Sequence, residues 1–156
     1  MAVTSGWAEP VDPDVTASRP RRATTLLLIA LGGAVGTTLR AALETAFPTA
    51  AGSWPWATFV INVTGAFLLA VVLETLSVLG PDEGWSRRVR LGVGTGLLGG
   101  FTTYSTFMVE AARLGRAGAY LTTLGYVAAS LLLGVAAAWA GMSLVSALHR
   151  RLVATR

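Results

Sequence analysis

The side chains in this sequence that could bind an ion are neutral hydrogen-bond donors inside long apolar runs. Thr58 and Asn62 are four residues apart, as are Tyr126 and Ser130, and this spacing puts each pair on one face of a helix. Arg40 is the basic residue placed within the first run. Neutral donors with a basic group beside them suit an anion, and a polar set in every run predicts a shared polar track.

The third run contains a stretch of residues that is poorly suited to a continuous helix, Gly99-Gly100-Phe101-Thr102-Thr103-Tyr104-Ser105-Thr106-Phe107. Glycine loses backbone entropy in a helix, and Thr and Ser compete for backbone hydrogen bonds. In a bilayer, a broken helix persists only where protein or a water-filled cavity satisfies its polar groups. We therefore predict that Gly99 to Thr102 break the helix. Aromatic ring edges are positively polarised, so Tyr104 and Phe107 are candidates to face an anion.

Composition places the chain among integral membrane proteins. Of its 156 residues, 53% are hydrophobic and 13% are charged, against about a quarter charged in soluble domains. It has no cysteine, and its single histidine, His149, lies beside Arg150 with no second type of metal ligand nearby. The run Gly94 to Gly99 matches a dinucleotide-binding fingerprint, but it lacks the strand and βαβ unit that this motif requires. Neither an enzyme nor a nucleic-acid partner is therefore expected.

Four apolar runs predict four transmembrane helices, at about residues 24–47, 56–79, 89–112 and 118–148. Together they form a predicted transmembrane domain over residues 23–149. Residues 1–22 are polar and contain three prolines, which predicts a disordered cytoplasmic tail. Residues 150–156 form a predicted basic C-terminal tail. The expected fold is all-α and membrane-embedded, with the third helix broken near its middle.

The arginines are distributed unequally between the two sides of the predicted membrane domain. One side holds Arg19, Arg21, Arg22, Arg87, Arg88, Arg90, Arg150, Arg151 and Arg156, and the other holds Arg113 and Arg116. Because cytoplasmic loops carry the excess of basic residues, both termini are predicted in the cytoplasm and the basic clusters near membrane lipid.

Small residues predict where the helices touch. Gly92, Gly96 and Gly100 repeat every four residues in the third run, and Gly32 and Gly36 do so in the first. Such faces let two backbones approach closely in a membrane, where no hydrophobic force drives helices together. Close packing of these two runs is therefore expected.

In their order along the chain, these motifs resemble those of the Fluc (CrcB) fluoride channels. The matching pieces are Gly32-Gly33-x-x-Gly36-x-x-x-Arg40, Thr58-x-x-x-Asn62-x-x-Gly65, the stretch from Gly99 to Phe107 followed by Glu110, and Tyr126-x-x-x-Ser130. The resemblance covers about residues 32–141, a range that reaches into all four predicted spans.

The resemblance implies an antiparallel dimer of four-span subunits in the plasma membrane, with two pores through which fluoride leaves the cell passively, lowering its toxicity. It implies a structural sodium ion held by the backbone carbonyls of Gly99 and Thr102. It assigns Arg40 to the vestibule and Glu110 to the acidic position of the third motif. The implied pore residues are Asn62, Tyr104, Ser105, Thr106, Phe107, Tyr126 and Ser130.

Two features depart from the pattern that this resemblance implies. Tyr104 stands where phenylalanine is usual, so its hydroxyl either adds a donor to the track or narrows it. Members that insert in both orientations have a weak charge bias, whereas nine arginines against two indicate one orientation. This bias suggests pairing with an oppositely oriented homologue.

Two other functions are compatible with four short spans. A proton-coupled exporter of cationic compounds requires a carboxylate deep in the first span, and Glu44 lies near the end of that span. A non-transporting subunit would need only the glycine faces for assembly.

Overall fold

The computed structural model describes residues 19–155, with side chains described from residue 22, and this part of the chain is helical with no strand. Its elements are α1 (Arg19–Ala46), α2 (Trp56–Leu79), α3 (Gly84–Val89), the π-helix π1 (Arg90–Leu98), α4 (Gly99–Phe101), α5 (Tyr104–Arg116) and α6 (Tyr120–Ala154). The predicted N-terminal tail lies outside the described residues except for residues 19–22, which belong to α1.

Three helices within residues 19–155 are long and apolar enough to cross a membrane, namely α1, α2 and α6. The 24 residues of α2 extend over about 36 Å, enough for a hydrocarbon core of about 30 Å. The 35 residues of α6 extend over about 52 Å, so α6 is longer than the bilayer core is thick. Residues 150–154 of the predicted C-terminal tail are the end of this helix. A helical membrane protein was predicted, and this is confirmed.

The third predicted span is divided into two helical parts. From Gly84 the chain is helical through α3, π1 and α4 as far as Phe101. Thr102 (φ −78°, ψ 155°) and Thr103 (φ −146°, ψ 123°) are extended, and α5 begins at the next residue. The predicted break exists, but placing its start at Gly99 was wrong, because Gly99 has helical angles (φ −65°, ψ −35°).

The glycine faces explain why the chain stays helical up to this point. A Cβ atom on Gly100 would lie 2.6 Å from the carbonyl oxygen of Gly33, and one on Gly96 would lie 2.8 Å from that of Ile29. On α1, a Cβ at Gly36 would overlap the backbone of Leu97. The predicted close packing of the first and third runs is confirmed, and it uses glycine for backbone contact rather than for flexibility.

The second close helix contact is between α2 and α6. A Cβ on Gly141 would lie 2.7 Å from the carbonyl oxygen of Phe67, so here too the backbones are close. Near the end of α2, the Ser146 hydroxyl donates a hydrogen bond of 2.5 Å to Glu74. The buried core cluster lies where α5 meets α6 and includes Phe107 and Tyr126. The helix break is thus positioned by three neighbouring helices.

Candidate functional site

The helix break is held by the side chain of Asn62, which projects from α2. Its Nδ2 donates to the carbonyl oxygen of Thr103 at 3.0 Å, and its Oδ1 accepts from the Thr103 amide at 2.8 Å. The amide therefore replaces two hydrogen bonds that a continuous helix would have made. Asn62 was predicted as a pore donor, and in the structure half of its hydrogen-bonding capacity supports the break, which leaves one N–H of Nδ2 for other partners.

Thr103 is a central residue of the site that the sequence reasoning did not select. It is 8% exposed, and its Oγ1 accepts from the backbone amide of Thr106 at 3.1 Å, which caps the first turn of α5. The same oxygen lies 3.2 Å from the hydroxyls of Ser105 and Thr106. The signal that could have identified it is a threonine directly before a helical run, since threonine is favoured at the N-cap.

Glu110 joins three helices through its two carboxylate oxygens. Oε1 accepts from the Thr58 hydroxyl at 2.9 Å, and Oε2 accepts from the Tyr126 hydroxyl at 2.8 Å. Thr58 and Tyr126 are both fully buried, at 0% exposure. Phe107 packs against the Tyr126 ring with centroids 5.1 Å apart. The structure therefore brings together Glu110 and Tyr126, two of the predicted site residues.

A groove of about 360 Å³, here called the tyrosine groove, runs along the break. The sequence-predicted site residues that line this groove are Asn62, Thr102, Tyr104, Phe107 and Ser130, and Thr103 lines it as well. The Ser130 hydroxyl is buried and has no hydrogen-bond partner among the described residues. Unpaired buried hydroxyls are rare in folded proteins, and this one belongs to a residue that lines the groove.

The two aromatic side chains of the groove differ in exposure. Phe107 is 6% exposed and belongs to the core, whereas Tyr104 is 75% exposed. Their ring centroids are 6.2 Å apart at an interplanar angle of 42°. In the single chain the groove is therefore walled by aromatic carbon on one side and open at Tyr104.

A second cavity, here called the loop cavity, has a volume of about 550 Å³ and lies under the connection between α1 and α2. Thr106 and Glu110 line it, together with Glu44 and Arg113. The predicted polar track is thus divided, with Thr106 and Glu110 at the loop cavity and Asn62 and Ser130 at the tyrosine groove. Tyr126 lies between them through its contacts with Glu110 and Phe107. Ser105 is exposed and lines neither cavity.

The side chain of Arg40 extends from α1 toward the helix break. Its Nε donates to the carbonyl oxygen of Gly100 at 3.3 Å, and its Nη1 forms an ion pair with Oε2 of Glu44 at 3.4 Å. Its side chain is 20% exposed. The prediction placed Arg40 at the site, and the structure shows its guanidinium bonded to the helix that ends at the break.

The backbone carbonyl oxygens at the break also suit a hard monovalent cation. The Thr103 amide bonds to Asn62 instead of to the carbonyl oxygen of Gly99, which thereby loses its intrahelical donor. Gly99 is exposed in the single chain. Unwound backbone carbonyls are ligands for sodium in membrane proteins. Within residues 19–155, no group of three His, Cys, Asp or Glu side chains could hold a metal.

Comparison with known proteins identifies the family. The sequence pattern described as CrcB-like protein, Camphor Resistance (CrcB), matches residues 27–142. A protein of Cutibacterium acnes named fluoride-specific ion channel FluC 1 is 45% identical over 89% of this chain and 90% of its own length.

Two further relatives carry similar names. FluC 2 of Leifsonia xyli subsp. xyli is 49% identical over 81% of this chain and 86% of its own length. FluC of Caulobacter vibrioides is 42% identical over 75% of this chain and 91% of its own length. The match covers the helix break and both cavities, and the chain belongs to the CrcB family.

Proposed function

We propose that this protein is a fluoride-selective channel through which fluoride leaves the cell passively, so that its toxic cytoplasmic concentration falls. The observation that carries this proposal is the unpaired, buried Ser130 hydroxyl in a groove that also contains the Asn62 amide and the Tyr104 and Phe107 rings. The relatives named above are called fluoride-specific channels. They are ion channels rather than enzymes, in agreement with the expectation from the sequence.

The chemistry of the groove suits a small, strongly hydrated anion. Such an ion must exchange its water for a dense set of donors, and it must meet several weak sites so that it can leave again. Hydroxyl and amide groups supply donors without a fixed charge that would trap the ion. The positively polarised edges of the Phe107 and Tyr104 rings add attraction where no hydrogen bond is available. The choice of fluoride over other halides is supported by the relatives' names.

We further propose that the working unit is an antiparallel dimer of four-span subunits. The third of these spans is formed by the run from Gly84 to Phe101 and by α5, on either side of the break. The exposure of Tyr104, at 75%, leaves the groove open in the single chain, and a second subunit would close it. The groove of each subunit then becomes one of two pores.

Orientation determines which partner closes the groove. The excess of arginine on one side supports a plasma-membrane protein with both termini in the cytoplasm. A chain committed to this orientation cannot supply its own antiparallel partner. We propose that the partner is an oppositely oriented homologue.

A structural sodium ion fits the centre of such a dimer. The Gly99 and Thr102 carbonyls of each subunit would hold it, and two subunits would supply four oxygen ligands. The ion would stabilise the ends of the broken helices, whose carbonyls carry partial negative charge. It is not transported.

Halide efflux from liposomes tests the proposal. The purified chain is reconstituted alone and with its oppositely oriented homologue, and fluoride and chloride release are measured with electrodes, with sodium present or replaced. We expect fluoride release without chloride release, and slower release without sodium. Ser130→Ala should slow fluoride release, whereas Thr64→Ala on the exposed face of α2 should not.

Each part of the proposal has its own contradicting outcome. Equal release of both halides would overturn fluoride selectivity. Full activity of the chain alone would overturn the proposal that it needs an oppositely oriented homologue. The competing proton-coupled exporter predicts release that depends on a proton gradient and is abolished by Glu44→Gln. The structure gives that alternative no support, because Glu44 lies in the last turn of α1 and pairs with Arg40.

A further inference from the structure

Glu44 occupies a position in α1 that is unfavourable for the helix itself. It lies two residues before the end of the helix at Ala46, where the negative end of the helix dipole repels a carboxylate. Its pairing with Arg40 has the arginine N-terminal to the glutamate, which is the weaker order for an i,i+4 pair. Helix stability therefore does not explain why a glutamate stands here.

The surroundings of Glu44 indicate what its charge does. Its Oε2 lies 3.4 Å from Nη1 of Arg40, while its Oε1 is buried and has no hydrogen-bond partner among the described residues. Glu110, the other carboxylate of the loop cavity, uses both oxygens to accept hydrogen bonds from Thr58 and Tyr126. Glu44 is thus the carboxylate of this cavity that has an oxygen without a hydrogen bond among the described residues.

The charges around the loop cavity cancel one another. Glu44 and Glu110 contribute two negative charges, and Arg113 at the wall and Arg40 behind Glu44 contribute two positive charges. A cavity lined by one sign of charge concentrates ions of the opposite sign, whereas a balanced one does not. Without Glu44 the cavity and Arg40 together would carry a net positive charge.

We propose that Glu44 is a positioning residue that masks the charge of Arg40 and thereby limits the rate at which anions pass through the loop cavity. This inference rests on the proposed function, since it concerns the access route to the same anion path. Glu44 itself does not contact the anion. It sets the local anion concentration through the field of the guanidinium that it pairs with.

The test is the ionic-strength dependence of fluoride efflux from liposomes for wild type and Glu44→Gln. Glutamine keeps the size of the side chain and an oxygen for Arg40, and it removes the charge. We expect Glu44→Gln to be about threefold faster at an ionic strength of about 0.01 M, where the screening length is about 30 Å. At about 1 M, where that length is about 3 Å, the two proteins should be equal.

Further variants separate charge from structure. Glu44→Asp retains the charge and should behave as wild type, and Arg40→Gln combined with Glu44→Gln should lose the salt-dependent difference. Glu83→Gln makes the same change in net charge at the opposite end of α2, in the exposed loop before α3, and should have no effect.

The inference and the proposed function fail in different ways. Fluoride efflux by wild type with no acceleration in Glu44→Gln at low salt, or with a change that persists at high salt, overturns the inference and leaves the proposed function in place. The absence of fluoride efflux from wild type, alone and with its homologue, overturns both. If Glu44→Gln elutes as an aggregate in detergent, Glu44→Asp is measured in its place. Because aspartate keeps the charge, faster fluoride efflux from Glu44→Asp than from wild type at low salt would also contradict a role for the charge.

Discussion

Replacing Asn62 with leucine should destabilise the protein by unpairing the backbone of Thr103. The wild-type amide makes two hydrogen bonds to that backbone, at 3.0 Å and 2.8 Å, and Thr103 is 8% exposed, so water can replace them only in part. Interhelical hydrogen bonds in membranes contribute about 0.6 to 1.7 kcal/mol each, so Asn62→Leu should cost about 1 to 3 kcal/mol in unfolding free energy. Leucine keeps the branch at Cγ and is larger than asparagine, so no cavity contributes to the loss.

The measurement is equilibrium unfolding in mixed micelles with increasing dodecyl sulfate, followed by tryptophan fluorescence. Trp54 is a suitable reporter, because its ring lies edge-on to Tyr126 with centroids 5.6 Å apart. The matched control is Thr64→Val on the exposed face of the same helix, for which we expect a change within about 0.5 kcal/mol. An Asn62→Leu protein as stable as the control would refute the reasoning that this side chain holds the break.

Three further substitutions test other contacts by the same unfolding measurement. Gly36→Ala should cost about 2 kcal/mol or more because its Cβ would overlap backbone that cannot move aside, whereas Gly134→Ala, with no atom within 4 Å, should be neutral or stabilising by up to about 1 kcal/mol. Equal effects of the two would contradict the packing argument. Thr103→Val should cost about 1 kcal/mol by removing the cap of α5, and Thr103→Ser should restore most of it. Tyr126→Phe should cost about 1 to 3 kcal/mol by leaving one oxygen of Glu110 unpaired. A wild-type unfolding curve for Tyr126→Phe would show that this bond contributes nothing.

Local sequence patterns were sufficient to predict the helices and several of their contacts. Apolar length predicted α2 at the residues where the structure has it, from Trp56 to Leu79. The four-residue glycine spacing predicted the close approach of α1 to the third run, because a helix repeats its face at that interval. The same spacing put Thr58 and Asn62 on one face, and both side chains reach the third run.

The position of the break could not be read from the sequence. Glycine and threonine are both poor helix formers, so local preference favoured the glycines. In the structure α1 packs tightly against Gly96 and Gly100 and keeps them helical, while Asn62 binds the backbone of Thr103. Tertiary contacts therefore moved the break toward the threonines.

By itself, the sequence determined the class of protein, the helical runs, the faces that carry glycine and the kind of polar group available to an ion. Tertiary structure alone decided that Asn62 supports the backbone, that Glu110 binds Thr58 and Tyr126, and that the polar residues divide between two cavities. The physical reason is that helix periodicity is a local property, fixed over a few residues. Hydrogen bonds between residues 41 or 52 positions apart depend on how whole helices pack.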